Sequence, residues 1–350
     1  MVLKGSLLIL FLLVTKAVCM FNASKTIWET LNSPEFKTVY QTLSQNKSKF
    51  HRVKDLLDDT ISNKTLFLPS EKAIQLAVEN GAFNMTVQNA LYFIIENSYD
   101  VNTLSLKRHY LNTSSPKFPV LIVSPDNNNN NSLQVISGTS ASNVTNWISC
   151  SNGIIYQTDQ FLSTPPSTID TISSLPDLNV LETVIKSRNL SNIMDGAQKT
   201  IFAPIDSAWD AINGTHLPFG TLIHDLKYQV IDGVYYQKDL LEKNHTLQTN
   251  YVPATLLTEV NENKQGFVLN NRTTLSRIVK ADIITSSGSV IHLTDTFLST
   301  KKPKEEGIRT VVGAFSQPSR ATLLLPSLWT SFLFVHMNLL FSILSHLFNH

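Results

Sequence analysis

Apolar positions fall at helical spacing in two stretches that answer one another. Phe36, Val39, Tyr40 and Leu43 follow Ser33-Pro34-Glu35, where Ser33 is placed to cap a helix and Pro34 to take its first position. Leu178, Leu181, Val184 and Ile185 repeat the spacing after Pro176-Asp177. Short apolar runs of strand type come next, Thr65-Leu66-Phe67-Leu68 and Thr200-Ile201-Phe202-Ala203, each closed by a proline, Pro69 or Pro204. Asp206 to Ile212 predicts a capped helix. Ser289-Val290-Ile291-His292-Leu293 alternates after a Ser287-Gly288 turn and predicts a strand.

These matches extend to an internal repeat. Thr-Asp-x-Phe-Leu-Ser-Thr occurs at 158–164 and again at 294–300, 136 residues later. A period of that length is too long for a solenoid unit and fits a duplicated globular domain. The copies are expected at 20–164 and 173–300, with a linker at 165–172 that opens on Pro165-Pro166. Helices and strands joined by short turns within each copy make the fold class α+β.

The two ends read as addresses. Lys4, an apolar run from Leu7 to Val14 and the small residues Ala17 and Cys19 form a secretory signal peptide over 1–19, too short to span a bilayer. Leu323 to Phe348 contains no Asp, Glu, Lys or Arg. A tail of this kind fits a GPI-attachment signal over 323–350, behind a polar spacer at 301–322, with Gly313, Ala314 and Ser316 as candidate attachment residues. A transmembrane helix is the alternative anchor, and a core helix the third reading. Localisation is therefore expected in the secretory pathway and at the cell surface, with an internal membrane such as the vacuole as the alternative.

Composition changes the picture in three ways. With 28 Lys+Arg against 27 Asp+Glu the chain lacks the basic surface of a non-specific nucleic-acid binder. Two cysteines exclude a four-thiolate zinc site, and Cys150 is the one outside the signal peptide. Charged residues are only 16% of the chain, so other groups must keep the surface solvated. Sequons supply a candidate: Asn22, Asn46, Asn63, Asn84, Asn112, Asn130, Asn143, Asn189, Asn213, Asn244 and Asn271 read as sites of a heavily glycosylated ectodomain. Asn127 to Asn131 is a low-complexity loop.

The pattern Thr-Ile-Phe-Ala-Pro-x-Asp-x-Ala-Trp at 200–209, a Tyr-rich middle segment, and Gly-x-Val-Ile-His-x-x-Asp at 288–295 together resemble the fasciclin domain family. Phe202, Ala203, Pro204 and Asp206 match its first box, and Gly288, His292 and Asp295 its second. Phe67, Pro69, Gly153 and Asp159 are the counterparts in a more diverged first copy. The resemblance implies two tandem domains, each a small β-sheet wedge packed with several α-helices. It also implies a non-enzymatic role in cell adhesion, without a cofactor or metal. Partners would be an extracellular matrix or cell-wall polymer, a glycan or a surface protein. Tyr228-Gln229 stands where the family carries a central Tyr-His pair, and Tyr92-Phe93 stands there in the first copy. Asp282-Ile283 looks like the Asp-Ile integrin-contact motif of some animal members. Tyr228, Gln229, Asp282 and Ile283 are thus the candidate binding residues, although aromatic packing and a fold-determining Asp282 are the simpler readings.

No His-Glu-x-x-His, Gly-x-Ser-x-Gly or phosphate-binding loop occurs. His292 beside Asp295, or His224, would be the base of a secreted hydrolase. Asp159 recurs at the place of Asp295, which reads as a structural anchor. Asp58-Asp59 lacks the ligand number of a calcium loop and reads as a solvated turn.

Overall fold

The computed structural model describes residues 20–22, 24–118, 120–126, 132–212, 216–252, 254–260, 267–270 and 274–300. The signal peptide, spacer, tail and GPI candidates lie outside them, as do Asn130, Asn213 and Asn271.

In chain order the first copy runs β1 (Met20–Asn22), α1 (Ile27–Leu31), α2 (Lys37–Gln45), α3 (Lys47–Asp58), β2 (Lys64–Pro69), α4 (Glu71–Glu79) and α5 (Val87–Tyr92). It continues with β3 (Ile94–Ile95), α6 (Val101–Ser105), β4 (His109–Asn112), β5 (Val120–Pro125), β6 (Leu133–Ser137), β7 (Ser140–Cys150) and β8 (Gly153–Thr158). The second runs α7 (Thr168–Ser174), α8 (Asn179–Ser187), α9 (Ser191–Met194), β9 (Lys199–Pro204), α10 (Asp206–Asp210), α11 (Phe219–Tyr228), β10 (Val230–Asp232) and α12 (Gln237–Glu242). It closes with β11 (His245–Gln248), β12 (Thr255–Val260), β13 (Phe267–Asn270), β14 (Leu275–Ser276), β15 (Ile278–Ile284) and β16 (Val290–Thr294).

The repeat in the sequence is a repeat in space. The two boxes of each copy are neighbouring parallel strands, β2 with β8 and β9 with β16, so Phe67 faces Tyr156 and Phe202 faces His292 across the ladder. A parallel pair needs cover on both faces, and every residue of β2 and β16 is buried. The sheet orders are β3-β2-β8-β7 and β10-β9-β16-β15. In the first copy the long β7 continues into β6, β5 and β4, whereas in the second copy β11 to β14 form a separate sheet. Helices pack on one face of each central pair, around Phe36, Val39 and Leu57 in the first copy and Leu178, Leu181 and Trp209 in the second. The other face closes on the second half of the wedge through Tyr92 and Leu121, or Tyr228 and Leu256. The family-type wedge with several helices is therefore present twice, in an α+β chain.

Three local expectations need correction. Ser33 does not cap: Pro34–Phe36 is a 3-10 turn without a side-chain cap, and the α-helix begins at Lys37. Asp206 lies inside α10 rather than at its cap; its carboxylate reaches across to the Val180 N–H at 2.9 Å. Glu71 does the same for Thr38 at 2.7 Å, so in each copy this acid ties the helix after the first box to the second helix of the domain, α2 or α8. The stretch 165–172 is only in part a linker. Ser167 caps α7 by accepting the Asp170 N–H, and Thr168 is buried.

Candidate functional site

The second box builds a knot at the same place in each copy. Asp159 accepts Ser142 Oγ at 2.8 Å, Asn143 N at 2.8 Å and Asn143 Nδ2 at 2.9 Å. Asp295 accepts Arg277 N at 2.8 Å and Ser276 Oγ at 3.3 Å. Both aspartates hold the bend where the wedge strands meet the central sheet, which is the structural-anchor role. Gly153 has φ +148, and a Cβ there would sit 2.0 Å from the Lys64 carbonyl oxygen, so the turn into β8 requires glycine. Gly288, with φ +73, makes the corresponding turn into β16.

His292 is consumed by the fold. Its Nε2 is 2.9 Å from the Tyr235 carbonyl, and its Nδ1 accepts the Asp282 N–H at 3.3 Å. The ring is therefore the neutral Nε2–H tautomer, stacked on Phe202 at 5.6 Å. Burial lowers its pKa below the ordinary value, against the opposing pull of Asp282. In the first copy Tyr156 occupies this position, stacks on Phe67 at 5.4 Å and donates its OH to the Tyr99 carbonyl at 2.8 Å. Tyr99 and Tyr235 are themselves counterparts, so one buried carbonyl is served by a phenol in one copy and an imidazole in the other. The remaining hydrolase candidate, His224, is exposed and packs on Tyr251.

The central pair also faces inward. Tyr228 is buried and donates to the Thr255 carbonyl at 3.0 Å, as Tyr92 does to Val120 at 3.3 Å. Gln229 is 1% exposed and its amide has no partner among the described residues. Ile283 is a core residue of β15, paired with Ile291 of β16. All four candidate binding residues are buried, so none of these side chains is offered to a partner as the chain is folded.

Asp282 has the most demanding position. It is 1% exposed and sits at φ +62, a left-handed conformation that Asp tolerates better than most residues. Its Oδ1 accepts the Gln237 N–H at 2.8 Å. Its Oδ2 accepts the OH of Tyr110, from the first copy, at 2.5 Å. Arg108 Nε lies 3.6 Å away, a charge contact rather than a hydrogen bond. Tyr110 packs on Tyr236 at 4.5 Å, and Lys238 Nζ lies over its ring at 5.1 Å. Burial and then the Asp282 charge hold the Tyr110 phenol far above its ordinary value, and the same causes push Tyr236 up to about 12. Asp282 therefore joins the two copies across a seam, a role that neither Arg108 nor Tyr110 announces in the sequence.

A second buried carboxylate was missed as well. Asp225 lies on the apolar side of α11 between Leu222 and Leu226, and accepts Thr300 N and Thr300 Oγ1, both at 2.8 Å. An acid on the apolar stripe of a helix is itself the signal that a buried partner exists. Asp58 and Asp59 are each committed to a lysine, Lys54 at 2.9 Å and Lys64 at 2.8 Å. Lys64 is buried, and its hydrogen bond holds Asp59 well below the usual carboxylate range. Among the described residues no three His, Cys, Asp or Glu side chains converge as metal ligands.

Six sequons, Asn46, Asn63, Asn84, Asn112, Asn189 and Asn244, are exposed. Asn143 is half-buried and its Nδ2 is engaged by Asp159, which disfavours it as an acceptor. Asn22 lies in β1. Cys150 is half-buried beside Thr30, and burial raises its thiol pKa. Among the described residues no helix is long and apolar enough to cross a membrane.

Residues 176–300 match the family model of the Fasciclin domain. The match falls on the second copy, and the first copy repeats that copy's paired boxes, its aspartate knot and its buried aromatic. A solved FAS1 domain pair from the insect cell adhesion molecule fasciclin I is similar at 17% identity, covering 75% of this chain and 96% of that one, with a TM-score of 0.36. No curated protein sequence matches the chain.

Proposed function

We propose that this chain is a non-enzymatic cell-surface glycoprotein whose paired fasciclin domains mediate cell adhesion or hold a matrix or cell-wall polymer. The observation that carries this reading is the fasciclin domain at 176–300 within a duplicated fold. The groups that chemistry would need support it too: His292, Asp159, Asp225, Asp282 and Asp295 are each bound to backbone or hydroxyl groups of the fold itself. Exposed sequons on both copies would supply the solvation that a 16% charge content does not. The apolar tail, read as a GPI signal, would hold the pair at the membrane.

Expression of the full chain in non-adherent cells tests this. Cells should aggregate or attach to matrix, and phosphatidylinositol-specific phospholipase C should release the protein and abolish attachment. Cells that express the protein at their surface but attach no better than controls would refute adhesion. Retention after the lipase, while a control GPI protein is released, would refute the GPI anchor.

A further inference from the structure

The outer edge of the central sheet is used differently in the two copies. In the first, β7 carries neighbours on that edge, β6 along Ser140–Asn143 and β1, in parallel, along Ile148–Cys150. In the second, no described strand pairs with β15 on the side away from β16. The reason is covalent. The segment that would take the place of β1 is the linker, which leaves β8 through Leu162 and Pro165-Pro166. It touches only the far end of this edge, where Ser286 N donates to the Pro166 carbonyl at 2.7 Å and Gly138 lies against Ile284. Ser151 N makes the matching bond to Lys25 in the first copy, so the linker ends beside the stretch of β15 that answers to the β1-paired end of β7, and Ile278–Ala281 beyond it has no described strand neighbour on this side.

A groove of 460 Å³ follows this free edge, with β15 as one wall and the β6–β7 hairpin of the first copy as the other. That volume lies within the range of ligand sites, about 300–1,000 Å³. Its surface mixes apolar and cationic groups. Val279 is 55% exposed, and Ile136 and Ala141 face the groove from the opposite wall. Arg108, Lys280 and Asp282 are the charged residues that line it. The Asp282 carboxylate is fully covered and already holds Tyr110 and Gln237, with Arg108, a third exposed, as its charge partner at 3.6 Å, so two cations against one buried carboxylate leave the groove net positive, with the exposed Lys280 ammonium the foremost charge.

We propose that this groove binds an extended peptide segment of a partner protein, added as a strand to the edge of β15, with acidic side chains that meet Arg108 and Lys280. β15 is bulged between Ile278 and Ile283, so its edge offers main-chain hydrogen bonds over a short stretch, and the side chains of the added segment sort between the apolar wall and the cationic end. The inference rests on the reading of the chain as a binding module, but its test needs no adhesion.

The full chain in detergent micelles is panned against random linear peptides displayed on phage, with counter-selection on Thr139→Trp/Lys280→Glu. Both replaced side chains are exposed, and one bulky and one acidic group then obstruct the groove. Selected peptides should alternate acidic with apolar residues and bind the blocked protein at least tenfold more weakly. Their binding should weaken as salt is raised, and they should slow amide hydrogen exchange within 278–281. Lys280→Glu alone, compared by circular dichroism with the wild type, serves if the double variant does not fold. No enrichment over empty micelles, equal binding to folded blocked protein, or exchange protection only outside 278–281 would each overturn the proposal. Adhesion is read separately in cells, so a failure there and a failure of the groove are distinguishable.

Discussion

Replacing Asp282 with Ala measures what the seam contributes. The change leaves the Gln237 N–H and the Tyr110 OH without their acceptor. Each buried donor so orphaned costs about 1–3 kcal/mol. Arg108 is a third exposed, so water replaces much of its lost partner and its share is small. Ala at φ +62 adds roughly 1–2 kcal/mol of backbone strain. Asp282→Ala should therefore destabilise the chain by about 3–8 kcal/mol. Asp282→Asn tolerates the left-handed backbone and keeps an oxygen for Gln237, so its loss should be only about 1–2 kcal/mol. Urea denaturation, followed by far-ultraviolet circular dichroism, gives both values. A cycle with Tyr110→Phe isolates the bond across the seam, with a coupling of about 1 kcal/mol or more expected for directly interacting residues. If Asp282→Ala unfolds within about 1 kcal/mol of the wild type, or if Asn is as damaging as Ala, Asp282 is not the hub described.

Four further outcomes are expected. His292 has a lowered folded pKa, so the unfolded chain binds the extra proton first; the stability it contributes is present above the ordinary histidine value of about 6.5 and is lost as pH falls toward the folded value. His292→Tyr, which copies Tyr156, should flatten the stability difference between pH 7 and pH 5, and an unchanged slope would count against this. Gly153→Ala should cost at least about 3 kcal/mol, because the new Cβ meets the Lys64 carbonyl at a strained φ; a mild change in melting temperature would contradict it. Asp159→Ala should destabilise more than Asp295→Ala, since Asp295 is exposed and water can replace it, and parallel thermal melts decide the order. Peptide mass spectrometry of protein from a glycosylating host should find glycans among the six exposed sequons and none at Asn143; a glycan on Asn143 would refute the bond to Asp159.

Much of the fold is legible in the chain because the repeat is written in residues that cannot vary freely. Phe202, Pro204, Asp295 and Gly153 each answer to a local requirement of backbone or ladder, so their spacing alone places the two boxes side by side. The capping errors have a different origin. Ser33 and Asp206 look like caps in isolation, but the 3-10 turn at Pro34 and the cross-contact to Val180 depend on a neighbouring helix that sequence order does not reveal. The burial of the candidate binding residues was hidden for the same reason. Tyr228 and Gln229 are polar in type, yet they lie on the inner side of the α11 terminus, facing the wedge. The seam was illegible altogether, since Arg108 and Tyr110 meet a residue more than 170 positions away.

The seam has a mechanical consequence. Two domains strung on a proline linker would turn freely, and tension along the chain would first reorient them. Here Tyr110 and Arg108 grip Asp282 from the other copy, so a pull would load short side-chain contacts before the linker is stretched. Such a pair would resist as one stiff body up to a threshold and then give way abruptly, at the seam rather than in either core.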